Sequence, residues 1–293
     1  MASYAWYLAV CAVIAMVLLF IRTRDGVFAA TALLCGLALG IIGAKLGYLL
    51  IQFHFVAVDG LRYSLTNSSP AMWCFTTGCA GAAGGVALAA KLREIRVLPA
   101  LNSFACVGAL TVAAARLGFL LLQDSMTGWG AWLEQPLPFP LAVSNEWGEY
   151  YLAPFMLEAL CAAVIALMAR CVWREGCFIR TVFWLCLCQV FCESLHSDSL
   201  SWLFVRVEQL LCLLGAAGIL TALGLLRPGK RTFAPLILCL VCAGIIVAVE
   251  FALQKSTVPV PVLYGVMLAA LAAMGVAECR LRYCSSSLAH GTI

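Results

Sequence analysis

Two cations stand inside apolar runs in matching surroundings. Lys45 lies in GAKLGYLL, residues 43–50, and Arg116 in AARLGFLL, residues 114–121. Each copy reads small, Ala, cation, Leu, Gly, aromatic, Leu, Leu. A charge at bilayer depth costs several kcal/mol unless it is paired or solvated. A guanidinium is planar, permanently charged and bidentate, and it tolerates partial burial, so the ligand that suits it best there is a phosphate. Phospholipid headgroups supply phosphates at that depth. Gly47 and Gly118 follow their cations two positions on, where a missing side chain lets backbone or lipid approach. With Tyr48 beside Gly47, the first copy reads as a lipid-binding stretch. Asp124 stands eight residues past Arg116, about 12 Å away along a helix, where it can orient a polar group of the ligand.

Other polar residues have plainer readings. Glu158, Glu193, Glu208 and Glu250, with Arg206, lie in or at the ends of apolar runs, and interhelical ion pairs explain such placements. The sixteen cysteines fall in apolar runs or toward the basic side of the chain. Cys239-x-x-Cys242 and Cys186-x-Cys188 have no His or acidic companions, so they read as small hydrophobes rather than as a metal or redox centre. No metal and no cofactor is expected.

The elements that must position these residues are membrane helices. The chain has 293 residues, 64% hydrophobic and 11% charged, with a mean hydropathy of +1.02. A soluble domain carries about 25% charged residues. Apolar runs long enough to span a bilayer recur along the whole length. The expectation is an all-α polytopic membrane protein with about nine spans, near 4–21, 28–53, 71–91, 101–122, 152–173, 178–194, 203–226, 234–253 and 262–279. Arg22, Arg24, Lys91, Arg93, Arg96, Arg170, Arg174, Arg180, Arg227, Lys230, Arg231, Arg280 and Arg282 fall on one side of that arrangement, leaving only Arg62 and Lys255 in the opposite loops. The basic side is cytoplasmic, which places the N-terminus outside and the C-terminus inside. The net charge of +4 sits in short loops and carries no nucleic-acid signal. The first run has no basic segment before it and reads as an uncleaved span. The outer loop 123–150 has no Lys or Arg. Trp129, Trp132, Trp147, Tyr150 and Tyr151 suit a membrane interface there, and Pro136, Pro138 and Pro140 forbid a continuous helix. It reads as a loop resting on the bilayer or as a lid over a site at the outer leaflet.

The order of these features resembles the prolipoprotein diacylglyceryl transferases. That family moves diacylglycerol from phosphatidylglycerol to a lipobox cysteine and has seven spans with an outside N-terminus. GAKLGYLL is similar to its Gly-rich second span. GCAGAAGG at 78–85, with Gly81, occupies the place of its His-Gly-Gly segment. Arg116-Leu117-Gly118-Phe119 resembles its Arg-hydrophobic-Gly-Asn signature, with Asp124 at the acidic place. LPFPLAV at 137–143 resembles its Pro-rich outer stretch, and Ala153-Pro154-Phe155-Met156-Leu157-Glu158 stands for its His-Pro-Ser-Gln-Leu-Tyr-Glu. Phe191-Cys192-Glu193-Ser194 resembles its Arg-x-x-x-Glu segment, and Gln209 opens a run similar to its last span. The likeness covers residues 27–226. It divides the chain into a transferase-like membrane domain, 1–226, and two additional spans with a short cytoplasmic tail, 227–293.

The departures fall on polar positions. The family His lands at Cys79 or Ala80, its Asn at Phe119 and its second Arg at Gln189, with His196 nearby. The resemblance implies Arg116 as the cation on the lipid phosphate, Lys45 as a replacement second cation, and His196 or Glu158 as the base that takes the thiol proton. Its implied partners are phosphatidylglycerol, a prolipoprotein signal peptide and the lipid bilayer, with no nucleic acid. Its implied place is the bacterial plasma (inner) membrane. Two other readings stand beside it: a relative that transfers a lipid to a different acceptor, and an inactive or repurposed member that binds or moves phospholipid. An ion-coupled transporter fits poorly, because the acids are few and form no relay.

Overall fold

A computed structural model describes residues 2–67, 69–173, 176–202, 205–226 and 233–290. A helix occupies each of the nine apolar runs: α1 Ala2–Thr23, α2 Gly26–Ile51, α5 Phe75–Leu92, α6 Val97–Leu117, α7 Pro154–Cys171, α8 Cys177–Glu193, α9 Val207–Leu225, α10 Phe233–Lys255 and α11 Val260–His290. Two short helices, α3 Phe53–Asp59 and α4 Leu61–Thr66, lie between α2 and α5. Six segments are long and apolar enough to cross a membrane: Ser3–Thr23, Gly26–Ile51, Val97–Leu122, Pro154–Cys171, Val207–Leu225 and Val260–Arg282, and Ile237–Leu253 is a shorter apolar helix. The helices α5 and α8 stand outside that set. The first is built largely from Gly, Ala and Thr, and the second has 17 residues.

Local chemistry sets the helix ends. Asp25 caps α2 by accepting from the Phe28 amide at 2.9 Å. Pro154 occupies the first turn of α7, where its missing N–H costs nothing. Past Leu117 the α6 helix tightens into a 3-10 segment, Gly118–Ser125, with a kink at Leu122.

The chain forms two compact units, 1–211 and 212–293. In the first, α2 and α5 touch at backbone distance. A Cβ on Gly81 would lie 2.2 Å from the Leu39 carbonyl oxygen, and one on Gly85 would lie 2.4 Å from that of Cys35. Small residues on both helices permit this approach. One apolar cluster joins Leu19, Phe28, Ala32, Val86, Ala90 and Ala100. A second joins Ala105, Ala109, Ile165, Ala169, Trp173 and Cys177 across α6, α7 and α8. Cys106 and Cys177 take part in that packing as free thiols. In the second unit α10 packs on α11, and the fully buried Glu278 pairs with Arg282 one turn on.

The loop at 123–150 is more ordered than its sequence suggests. Strands β1 Trp132–Leu133, β2 Ala142–Ser144 and β3 Tyr150–Leu152 form an antiparallel sheet in the order β1-β3-β2, with Trp132 and Val143 flanking Tyr151. A second hairpin pairs β4 Ser201–Trp202 with β5 Val205–Arg206. Trp147 and Trp132 are exposed, but Trp129 is only 1% exposed. Gly128 explains the exception. Its φ of +78° turns the chain inward, and a Cβ there would lie 2.5 Å from the Phe119 ring. The Trp129 ring then packs 5.3 Å from that of Tyr151, in a cluster with Phe119, Leu122 and Phe155.

Candidate functional site

Arg116 lies in the last turn of α6 and is 5% exposed. Its Nε stands 2.7 Å from Oε2 of Glu158 on α7, and its Nη2 donates to Oε1 of Gln189 on α8 at 3.3 Å. The guanidinium carbon lies over Phe75, 3.8 Å from the ring centroid, with Phe119 at 5.3 Å. Gln189 passes the contact on, since its Nε2 donates to Oε2 of Glu193 at 3.1 Å. Both carboxylates are buried.

His196 follows α8 and joins the other side of Glu158. Its Nε2 is 3.2 Å from Glu158 Oε1, and its Nδ1 is 3.4 Å from Asp198 Oδ1. Only the doubly protonated ring donates to both acids. Burial alone would lower its pKa. The Glu158 charge and the hydrogen bonds to Asp198 and Glu158 outweigh burial and raise it from an ordinary 6.5 to about 10. Burial pushes Asp198 up, but the His196 hydrogen bond and the Gly128 amide, donating to Oδ2 at 2.8 Å, hold it below its ordinary value. With an acid against each ring nitrogen, the doubly protonated form suits this arrangement best.

Backbone contacts hold the His-Ser-Asp segment. The Ser197 amide and hydroxyl donate to the Trp129 carbonyl at 2.9 and 2.8 Å, and Gly130 bridges His196. Arg206 on β5 clamps it from the other side. Its Nη1 donates to the carbonyls of Glu193 and His196 and, at 2.9 Å, to Ser199 Oγ. Gln209 donates to the Val190 carbonyl at 3.0 Å, tying the start of α9 to α8. Glu208 caps α5 from α9, accepting from the Phe75 amide at 2.7 Å and the Thr76 hydroxyl at 3.1 Å.

Lys45 has different company. Its ammonium donates to the carbonyls of Asn67 at 2.8 Å and Met72 at 3.3 Å. It sits 4.6 Å from the Trp73 ring and 5.7 Å from that of Tyr48. No carboxylate pairs with it among the described residues. The two cations thus rest on rings flanking Cys74, from opposite ends of one short connector. The glycines near them stand at helix contacts. A Cβ on Gly47 would meet Thr77 Oγ1 at 2.0 Å, and one on Gly118 would meet the Tyr4 and Tyr7 rings at 2.7 Å. The Asp124 side chain lies outside the described residues.

Of the residues singled out in the sequence, Arg116, Glu158, Gln189, Glu193 and His196 form one connected group. Gln209 braces it, while Lys45, Gly47, Tyr48 and Gly81 lie along α2 and its α5 contact. Sequence reasoning passes over Asp198, Phe75 and Gly128. The His-x-Asp spacing at 196–198 is the only local signal for Asp198. Glu158, Glu193 and His196 bring ligand atoms within 4.8 Å of one another, a spacing open to a metal ion. Here Arg116 already neutralises Glu158 and His196 is itself cationic, so the group does not fit the neutral imidazole a metal needs.

Chemically the group offers two cations converging on one carboxylate, a neutral amide and a second buried acid. Groups of this kind can hold a tetrahedral anion and handle a proton beside it. The model of the prolipoprotein diacylglyceryl transferase family matches residues 1–225, up to the end of α9. Among curated proteins, none matches the chain.

Proposed function

The chain belongs to the prolipoprotein diacylglyceryl transferase family, and on that footing we propose that it transfers a diacylglyceryl group from phosphatidylglycerol to the lipobox cysteine of a prolipoprotein. The reaction sits in the bacterial plasma membrane, in a multi-pass chain of nine spans with its N-terminus outside. The charge asymmetry of the loops and the six crossing segments support that placement.

Arg116 holds the lipid phosphate. The cysteine sulfur attacks the glycerol carbon, a C–S bond forms as the C–O bond to phosphate breaks, and the oxygen leaves with its electron pair as glycerol phosphate. The thiol proton goes to a carboxylate of the site. A positioned cation is worth most where charge develops, on the departing phosphate oxygen. His196 is the second cation on this reading, ahead of Lys45, because it shares Glu158 with Arg116.

The observation that carries the reading is the guanidinium of Arg116, buried at the end of an apolar helix between Glu158 and Gln189. Complementation of a transferase-depleted bacterium tests it. Wild type is expected to rescue growth and Arg116→Ala to fail at equal expression. A second reading, phospholipid binding without transfer, rests on Gln189 and Phe119 standing where the family has Arg and Asn. It predicts no rescue by a stably expressed wild type. Transfer to a different acceptor predicts consumption of phosphatidylglycerol without a lipobox substrate.

A further inference from the structure

Glu158 occupies the place where the two cations of the site converge. Its Oε2 lies 2.7 Å from Arg116 Nε, an ion pair not aligned as a hydrogen bond, and its Oε1 lies 3.2 Å from His196 Nε2. A phosphodiester presents the same pair of anionic oxygens to the same pair of donors. The other contacts of each cation lie elsewhere. Gln189 meets Arg116 at Nη2, Phe75 covers the guanidinium face, and Asp198 meets His196 at Nδ1. Removing Glu158 from between them would leave both cations oriented and His196 still held by an acid.

Burial then decides what an incoming phosphate must do. Arg116, Glu158 and His196 are each 6% exposed or less. A phosphate added beside Glu158 would crowd two anions into a space with little water. A phosphate exchanged for Glu158 keeps a single anion on the two cations and leaves the displaced carboxylate without a counter-charge until it takes up a proton.

We propose that Glu158 is a resident stand-in for the lipid phosphate: the phosphodiester displaces it from Arg116 and His196, and the freed carboxylate then accepts the proton of the attacking thiol. This rests on the reading of Arg116 as the phosphate ligand. Before lipid binds, both oxygens of Glu158 lie against cations, which makes the carboxylate a poor base. After exchange, the carboxylate is uncompensated beside the reacting centre and takes the proton as the C–S bond forms. Base strength thus appears only when the lipid is in place, which protects the site from idle proton traffic.

The exchange separates Glu158 from an ordinary structural ion pair. In the purified full-length chain, Glu158→Gln is expected to bind phosphatidylglycerol and glycerol 1-phosphate about tenfold more tightly than wild type, because the competing charge is gone, and to lose transfer. A folded Glu158→Gln protein with unchanged or weaker phosphate affinity would overturn the proposal. The neutral variant leaves the buried Arg116 without its carboxylate and can fail to fold, so a wild-type measurement accompanies it. In protein with 15N-labelled histidine, glycerol 1-phosphate and phosphatidylglycerol are each expected to shift the His196 Nε2 resonance and leave Nδ1 in place. Diacylglycerol, which has no phosphate, is expected to shift neither. Phosphate binding that leaves Nε2 unmoved, or a response to diacylglycerol, would refute the exchange. These readouts need no acceptor peptide, so they stand or fall separately from the transfer reaction.

Discussion

Lys45 and Arg116 sit in the same octapeptide frame, each near the C-terminal end of its helix, and meet different neighbours. Arg116 finds an acid, an amide and, through the acid, an imidazolium. Lys45 finds two backbone carbonyls and two rings. Carbonyls and ring faces satisfy an ammonium while leaving nothing that can exchange for a ligand or move a proton. Chemistry therefore concentrates at the second copy, and the first braces the connector 73–75 on which Arg116 lies.

Several substitutions can break or sharpen that contrast. The largest effect belongs to Arg116→Ala, expected to lower transfer by about a thousandfold, in the range seen when one charge-stabilising donor is removed. Arg116→Lys keeps the charge but loses the fork that meets the anion site and Gln189 together, and recovery of more than a small fraction of wild-type activity would contradict a role for the guanidinium's geometry. An initial-rate assay with purified protein reads both.

Asp198→Asn comes next, with an expected loss of about tenfold or more at neutral pH. Its test is the pH profile. The folded pKa of His196 lies above its ordinary 6.5, at about 10. The charged ring's contribution to stability is therefore complete below the ordinary value and is lost as pH rises through about 10. The groups facing it are Glu158, Asp198 and, at longer range, Glu193. Neutralising Asp198 should move the alkaline limb of activity to lower pH; an unmoved limb would show that His196 does not carry the charge.

Gly81→Val follows, acting on the scaffold alone. Its side chain would meet the Leu39 carbonyl, and overpacking of this kind costs about 1–3 kcal/mol. A fall in Tm with unchanged KM for phosphatidylglycerol in the surviving folded protein is the expected pattern. The smallest effect is expected from Lys45→Met, less than tenfold in transfer, since no acid or substrate contact is lost. A loss as large as that of Arg116→Ala would erase the distinction between the two copies.

Much of the scaffold is legible in the sequence because helix length and apolarity are local properties. Among the described residues each apolar run carries a helix, six of them long and apolar enough to cross a membrane, and the glycines of GCAGAAGG mark a contact at backbone distance. The outer sheet is not legible. Its strands are two or three residues long among prolines, and pairing rather than periodicity defines them. Trp129 follows the same logic: its ring is driven inward by the turn at Gly128, a backbone feature that aromatic content does not reveal. At the site, Arg116, Glu158, Glu193 and His196 are conspicuous as charges in an apolar chain, yet their mutual contacts depend on helix rotation. Asp198 reads as an ordinary loop acid until the backbone of 128–130 folds over it. The matched octapeptides suggest two equivalent cations, and only tertiary neighbours separate them.

The central claim is that the group around Arg116 transfers a diacylglyceryl moiety to a cysteine. Mass spectrometry of a lipobox peptide incubated with the purified chain and phosphatidylglycerol of defined acyl composition tests it most directly. The account predicts a mass gain of one diacylglyceryl group on the cysteine, release of glycerol phosphate, and neither with Arg116→Ala. An unmodified peptide in the presence of wild-type protein that binds the lipid would contradict it.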